Sequence, residues 1–128
     1  MDDKKEFNID ETRNLDECVD WVKCYMCSGE NGDDELKEWL KLDEDDAMMI
    51  HHGFGTIIRN ILKLWDGGPA VQWFNKQGIY HADDMSAIIF ASLHRKENGV
   101  EIELNKQIKV YRDYWDNEDP NINKGIIN

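Results

Sequence analysis

Residues 44–65 read EDDAMMIHHGFGTIIRNILKLW, and they contain the longest helical pattern in the chain. Asp43 can cap this helix, and Asp46 falls in its first turn, where acidic side chains interact favourably with the helix dipole. Apolar side chains recur at spacings of three and four residues, which predicts a wide buried stripe typical of a central helix. The predicted stripe consists of Ala47, Ile50, His51, Phe54, Ile57, Ile58, Ile61, Leu62 and Trp65.

Two glycines lie within one turn of this helix, in the segment HHGFGTIIRN (51–60). Glycine destabilises a helix interior by up to about 1 kcal/mol, so the pair favours a site where another helix approaches closely. Spacings of four residues place His51, Gly55 and Arg59 on one face. The alternative is therefore that Gly55 opens a ligand pocket between the two polar side chains.

Arg59 and Asn60 stand beside the apolar stripe, which predicts a polar network in the bundle. A buried guanidinium needs a carboxylate or several carbonyl groups, and Asp83 or Asp84 is the predicted partner. Asn60 is predicted to cap a loop. One set of residues is thus open to two interpretations, a buried polar network or a ligand pocket: His51, Arg59, Asn60, His81, Asp83, Asp84 and Ser86.

Helix signals also occur upstream of the long pattern. Asn14 and Glu17 fit a capping box at the start of a first helix, which the segment SGENG (28–32) ends. A second, short helix is predicted over residues 33–42. The predicted apolar stripe of the first helix is Leu15, Cys18, Val19, Val22 and Met26, and that of the second is Leu36, Trp39 and Leu40.

Downstream, the segment GGP (67–69) breaks the long helix and begins the next one, because proline suits the first helical position. Gly78 is predicted to end that helix. The segment HADDMS (81–86) opens a further helix, and the last is predicted over 103–116. The sum is an all-α fold, a single compact bundle of five or six helices over residues 14–116, with a flexible N-terminus (1–13) and a mobile tail (117–128).

The charge balance is acidic, with 27 Asp and Glu against 15 Lys and Arg and a net charge of −12. Phosphates would be repelled, so direct nucleic-acid binding is not expected, whereas a protein partner with a basic surface is. Residues 30–46 carry nine of the acidic residues and only two lysines. The predicted partner-binding residues are Asp33, Asp34, Glu35, Glu38, Asp43, Glu44, Asp45 and Asp46; the alternative is a solvated helix face.

Three cysteines without a signal peptide predict free thiols in a reducing, cytoplasmic setting. We interpret Cys18, Cys24 and Cys27 as small buried side chains, because no second cysteine or histidine pair completes a zinc motif. No helical ligand spacing indicates a metal, and no motif indicates a cofactor, so neither is predicted. No apolar run approaches the roughly 20 residues needed to cross a membrane.

Two blocks of the sequence, HHGFGTIIRNILKLW (51–65) and WFNKQGIYHADDMSAIIFASLHR (73–95), resemble a bacterial family of unknown function. The family core reads His-x-Gly-x-Gly, Ile-Arg-Asn, Leu-Trp, Gly-Ile and His-Pro-Asp-Asp-Met-Ser, and the resemblance covers about residues 43–115. The sequence has His52 where the family has Phe, Leu62 and Lys63 where it has Trp and Gly, and Ala82 where it has Pro. The resemblance implies the signature positions His51, Gly53, Gly55, Arg59, Asn60, Trp65, Asn75, Gly78, His81, Asp83, Asp84, Met85 and Ser86, but it implies no activity.

These observations favour a small acidic, non-catalytic, protein-binding module. Its size and charge suit an inhibitor of the immunity or phage anti-defence kind, which binds a basic or nucleic-acid-handling protein. The alternative is a protein or enzyme that binds a small anionic ligand in a pocket formed by His51, Arg59, His81 and Asp84. A third hypothesis is a regulatory subunit that docks through Trp21 and Trp39. Enzyme activity is not favoured, because no motif with a catalytic mechanism is present.

Overall fold

The computed structural model describes residues 14–65 and 67–118, and every side chain in these ranges except those of residues 50–52, 61, 117 and 118. Within these ranges the chain forms seven α-helices and no strand. The predicted all-α fold is confirmed, with one helix more than the upper prediction. The helices are α1 (Leu15–Met26), α2 (Gly32–Lys41), α3 (Glu44–Ala47), α4 (His51–Ile61), α5 (Pro69–Lys76), α6 (Ala82–Glu97) and α7 (Leu104–Glu118), with a 3₁₀ turn at Met48–Ile50 between α3 and α4.

The predicted long helix over 44–65 is wrong, because the chain breaks it into α3, the 3₁₀ turn and α4. The indole N–H of Trp39 donates to the Ala47 carbonyl oxygen at 2.8 Å, which engages an acceptor that a continuous helix would give to residue 51. Lys63 has a φ of 57° just after α4. Trp65 therefore lies outside the helix with 57% of its surface exposed, and Ile57 is 45% exposed, so neither belongs to the predicted buried stripe.

The centre of the bundle is α6, where the prediction had placed residues 44–65. Every residue from Met85 to His94 is buried, which is typical of a helix with neighbours on all sides. Small side chains such as Ala87 and Ala91 allow this close packing. One hydrophobic cluster joins α6 to the inner faces of α1, α2, α4, α5 and α7; it includes Val19, Val22, Leu36, Trp39, Ile58, Leu62, Phe74, Ile88, Ile89, Phe90, Leu93 and Ile108.

Local signals at the helix ends are confirmed. The Asn14 side chain accepts a hydrogen bond from the Glu17 N–H at 2.9 Å, and Asp43 accepts one from the Asp46 N–H at 2.8 Å. Pro69 is the first residue of α5. Gly78 follows α5 with a φ of +85°, a conformation that glycine adopts without strain.

The three cysteines differ in burial: Cys18 is buried, Cys27 is partly buried and Cys24 is exposed. Cys18 is buried, and burial, assisted by the nearby Glu17, raises the pKa of its thiol to about 12. Cys24 is exposed, so its prediction as a buried side chain is wrong. The α1 stripe runs through Cys18 and Val22, whereas Cys24 stands on the opposite face of that helix.

Among the described residues, no helix combines the length and the apolar character required to cross a membrane. Of the two predicted tails, only residues 117 and 118 lie within the described ranges, at the end of α7. Residues 1–13 and 119–128 lie outside them.

Candidate functional site

Arg59 joins α4 to the N-terminal end of α6. Only 7% of this residue is exposed. One terminal nitrogen donates to Ser86 Oγ at 2.9 Å, and the other donates to Thr56 Oγ1 at 2.9 Å. Its Nε lies 3.2 Å from Asp83 Oδ1, so the predicted contact with one of the two aspartates is present. These partners hold the guanidinium in place between the two helices.

The serine in this cluster is fixed by a second bond. Ser86 is fully buried, and its hydroxyl donates to the Asp83 carbonyl oxygen at 3.1 Å within the first turn of α6. On the other side of the guanidinium, the Trp65 ring centroid lies 5.6 Å from the central carbon of Arg59. A cation over an aromatic face is attracted to it, so the partly exposed indole covers the buried arginine.

His81 and Asp84 belong to a different contact, with α7. The His81 ring stacks on Trp115 with a centroid distance of 3.7 Å, and the Trp115 N–H donates to Asp84 Oδ2 at 2.6 Å. Burial raises the pKa of Asp84, although the hydrogen bond from Trp115 opposes that rise. These two side chains lie beside a cavity of about 320 Å³, which Arg112 also lines.

Sequence reasoning missed Arg112 and Trp115 as neighbours of the predicted polar residues. Trp115 is 37% exposed, and its ring covers His81. The available signal is their spacing of three residues, which places both on one side of α7. The cation beside His81 and Asp84 is therefore Arg112, whereas Arg59 contacts Ser86, Thr56 and Asp83.

Of the two remaining predicted pocket residues, only Asn60 has a described side chain. The Asn60 side chain is exposed on α4. The backbone of His51 begins α4, and its side chain lies outside the described set. Among the described residues, no group of three or more His, Cys, Asp or Glu side chains is arranged to hold a metal ion.

Seven of the eight predicted partner-binding residues form an exposed acidic surface on α2, α3 and the turn between them. They are Asp33, Asp34, Glu35, Glu38, Asp43, Asp45 and Asp46, and we call this set the acidic surface. Two of them already have local roles, because Asp43 caps α3 and Glu38 pairs with Lys41 at 2.7 Å. A third, Asp33, hydrogen-bonds with the Cys27 thiol, whose pKa is raised by burial and by this bond. This leaves four exposed carboxylates: Asp34, Glu35, Asp45 and Asp46.

Glu44, the eighth of these residues, is half-buried and bound within the protein. Arg95 at the C-terminal end of α6 donates to both Glu44 carboxylate oxygens, at 2.6 and 3.0 Å. Arg95 also donates to the Ile102 carbonyl oxygen at 2.6 Å. The hydrogen bonds from Arg95 lower the pKa of Glu44 from its ordinary value. Glu44 therefore fastens α3 to α6, and we leave it out of the acidic surface.

Neither tryptophan considered for docking is exposed. Trp39 is buried and bound to Ala47, while Trp21 is partly buried and stacks on Tyr25 at a centroid distance of 5.3 Å. The hypothesis of a docking patch built on these two indoles therefore has no support.

The model of a family described as a domain of unknown function (DUF6794) matches residues 13–97 of this sequence. The chain belongs to this family. No curated protein and no solved structure matches the chain. The DUF6794 match begins one residue before the Asn14 cap and ends at the last residue of α6. It therefore starts and ends earlier than the resemblance over about 43–115 predicts.

The bounds of the DUF6794 match divide the candidate sites. Both the acidic surface and the cluster around Arg59 lie within the matched residues, whereas Arg112 and Trp115 lie beyond them. The stacking of Trp115 on His81 therefore joins the family domain to α7, a helix outside the match.

Proposed function

We propose that this DUF6794 protein is an acidic, non-catalytic, protein-binding module that acts as an inhibitor of the immunity or phage anti-defence kind. Its partner is a protein with a basic surface, such as an enzyme that handles nucleic acid. The observation that carries the proposal is the acidic surface. Its seven exposed carboxylates lie on two consecutive helices and their connecting turn, and the cations of this segment are only Lys37 and Lys41.

The chemistry of such a partner follows from the charge. A surface that binds phosphates presents lysine and arginine side chains, and a row of carboxylates is attracted to the same groups. Charge complementarity raises the rate of association and selects against acidic partners. Because the carboxylates are exposed, salt is expected to screen the interaction strongly.

The small-anion alternative is less favoured by the contacts of Arg59. All three guanidinium nitrogens lie within 3.2 Å of an oxygen of Thr56, Ser86 or Asp83. A ligand carboxylate or phosphate would have to displace these groups. We also propose a cytoplasmic setting, which is supported by the three free cysteines.

The test uses the tagged full chain to capture proteins from a bacterial lysate at low and high salt. A triple variant, Asp34→Asn, Asp45→Asn and Asp46→Asn, removes three charges that have no partner within the described contacts. A matched variant, Asp16→Asn, Glu101→Gln and Asp116→Asn, removes the same charge from exposed positions on α1, before α7 and on α7.

We expect a basic protein in stoichiometric amount that high salt releases. The first variant should bind it on the order of tenfold more weakly, and the matched variant should bind it like the wild type. Equal loss in both variants would mean that only net charge matters. Binding that neither salt nor the first variant weakens would overturn the proposal.

A further inference from the structure

An open groove lies beside the acidic surface, between α1, α2 and α4. Its volume is about 520 Å³. Tyr25 and Met26 come from α1, Glu35 and Trp39 from α2, and Phe54 from α4; the turn at Ser28–Gly29 closes one end. We call this space the aromatic groove. Its described lining combines three rings and a thioether with one carboxylate, and it includes neither lysine nor arginine.

The rings of the groove are held in position by their neighbours. The Tyr25 ring lies between Trp21, which it stacks on, and Phe54, whose centroid is 5.7 Å away. Phe54 in turn contacts Phe90 of the core at 5.6 Å. The indole of Trp39 is fixed by its hydrogen bond to Ala47. The groove is therefore formed before any partner binds, which lowers the entropic cost of binding.

We propose that the aromatic groove receives an arginine side chain of the basic partner, an inference that rests on the proposed function. Its aliphatic stem would lie against the rings, and its guanidinium would pair with Glu35. Arginine fits better than lysine, because its planar cation stacks on aromatic faces, binds a carboxylate through two nitrogens and is less strongly hydrated. The negative charge of the adjoining α2 surface favours a cation of either kind over a neutral side chain.

The residues that line the aromatic groove also predict how the partner binds. An arginine anchor in a preformed aromatic site, surrounded by weaker charged contacts, is the usual arrangement of a binding hot spot. The acidic surface would then bring a basic protein to this side of the bundle, and the groove would select the one that presents an arginine at the right place.

Glu35 and Glu38 make a matched pair for the test. Both are exposed glutamates on α2, and they are three residues apart, but only Glu35 lines the groove. Glu35→Gln and Glu38→Gln therefore change the net charge by the same amount. Tyr25→Leu serves as a second variant that keeps an apolar side chain and removes a ring. Far-UV circular dichroism establishes that each variant folds.

The probes are the N-acetyl, N′-methylamide derivatives of arginine, lysine and norleucine, titrated into the full-length protein. The NMR signals of the Met26 methyl group and of the Tyr25 and Phe54 rings report on binding. We expect the arginine probe to shift these signals with a Kd on the order of 1 mM, as for a single side chain. Glu35→Gln should weaken this binding about fivefold, Tyr25→Leu about threefold, and Glu38→Gln less than 1.5-fold.

Several outcomes overturn the inference. Stronger NMR shifts with norleucine would assign the groove to an apolar side chain. Equal binding of the lysine and arginine probes, or equal effects of Glu35→Gln and Glu38→Gln, would also contradict the inference. A salt-sensitive partner that tolerates Glu35→Gln as well as Glu38→Gln would leave the proposed function standing without the groove. Selective arginine binding in the groove, with no partner captured from the lysate, would support the groove assignment and contradict the proposed function.

Discussion

Two arginines fasten the segment Glu44–Ile61 to the central helix, one at each end of α6, and they do so in different ways. Arg59 is buried and bonds to two hydroxyl groups and to an exposed aspartate. Arg95 is more exposed and donates two short hydrogen bonds to the Glu44 carboxylate. The first contact is expected to depend on burial and the second on charge.

The comparison also explains why the sequence indicated a buried role for Arg59 but not the contact between Arg95 and Glu44. A charged residue inside an apolar stripe, as in IIRNI (57–61), indicates a buried arginine that needs a partner. Arg95 and Glu44 each stand among other charged residues, so they resemble ordinary surface side chains. Only the packing of α3 against the end of α6 brings them together.

The largest expected effect is that of Arg59→Met. The variant loses the hydrogen bonds to the buried Ser86 and to the exposed Thr56, so we expect unfolding to be easier by about 3 kcal/mol. Urea unfolding of the full chain, followed by circular dichroism, measures this. Arg112→Met is the control, because Arg112 is exposed; a similar loss in both variants would contradict the assignment of Arg59 as the buried contact.

A smaller loss of stability is expected when the contact between Arg95 and Glu44, at the C-terminal end of α6, is removed. Arg95→Met and Glu44→Gln should each reduce the free energy of unfolding by about 1.5 kcal/mol, because each removes a bidentate contact that is only partly shielded from water. The double variant should lose less than the sum of the two, with a coupling energy of about 1 kcal/mol. Strict additivity would show that the pair does not interact in solution.

The dependence on pH distinguishes the charged contact further. Arg95 lowers the pKa of Glu44 below its ordinary value of 4.5. The ion pair therefore stabilises the fold fully above pH 4.5, and its contribution decreases as the pH falls through the lowered pKa. The stability difference between wild type and Glu44→Gln should therefore be constant near neutral pH and shrink by up to about 1 kcal/mol in acid. A stability difference between wild type and Glu44→Gln that grows as the pH falls would contradict this prediction.

The smallest effect is expected for Asp83→Asn. The Asp83 side chain is 69% exposed, so its attraction to Arg59 is screened, and we expect a loss of about 0.5 kcal/mol or less. Unfolding at low and high salt measures the electrostatic part. A loss comparable to that of Arg59→Met would mean that the aspartate, and not the two hydroxyl groups, holds the arginine.

Local signals explain most of what could be predicted about the fold. The caps at Asn14 and Asp43, the start at Pro69 and the stop at Gly78 depend on side chains within a few residues of one another. The break between α3 and α4 does not, because the indole that engages the Ala47 carbonyl comes from Trp39, eight residues earlier on another helix. The pattern alone therefore predicted one helix where three elements stand.

The candidate sites follow the same division. The acidic surface was predicted from composition, since exposed charges need no partner to be placed. The bond between Glu44 and Arg95 spans 51 residues, and the contact between Asp84 and Trp115 spans 31. The aromatic groove likewise unites side chains of α1, α2 and α4. None of these contacts leaves a periodic signal in the sequence.

The sequence by itself determined the all-helical class, the helix boundaries at Asn14, Asp43, Pro69 and Gly78, and the acidic character of α2 and α3, because these depend on local backbone energetics and on charges that face water. The tertiary structure decided that α6 is the central helix, which carboxylates remain available and where a groove opens. Those properties depend on which helix faces meet, and the long-range contacts among side chains that set this are not encoded in the spacing of residues along the chain.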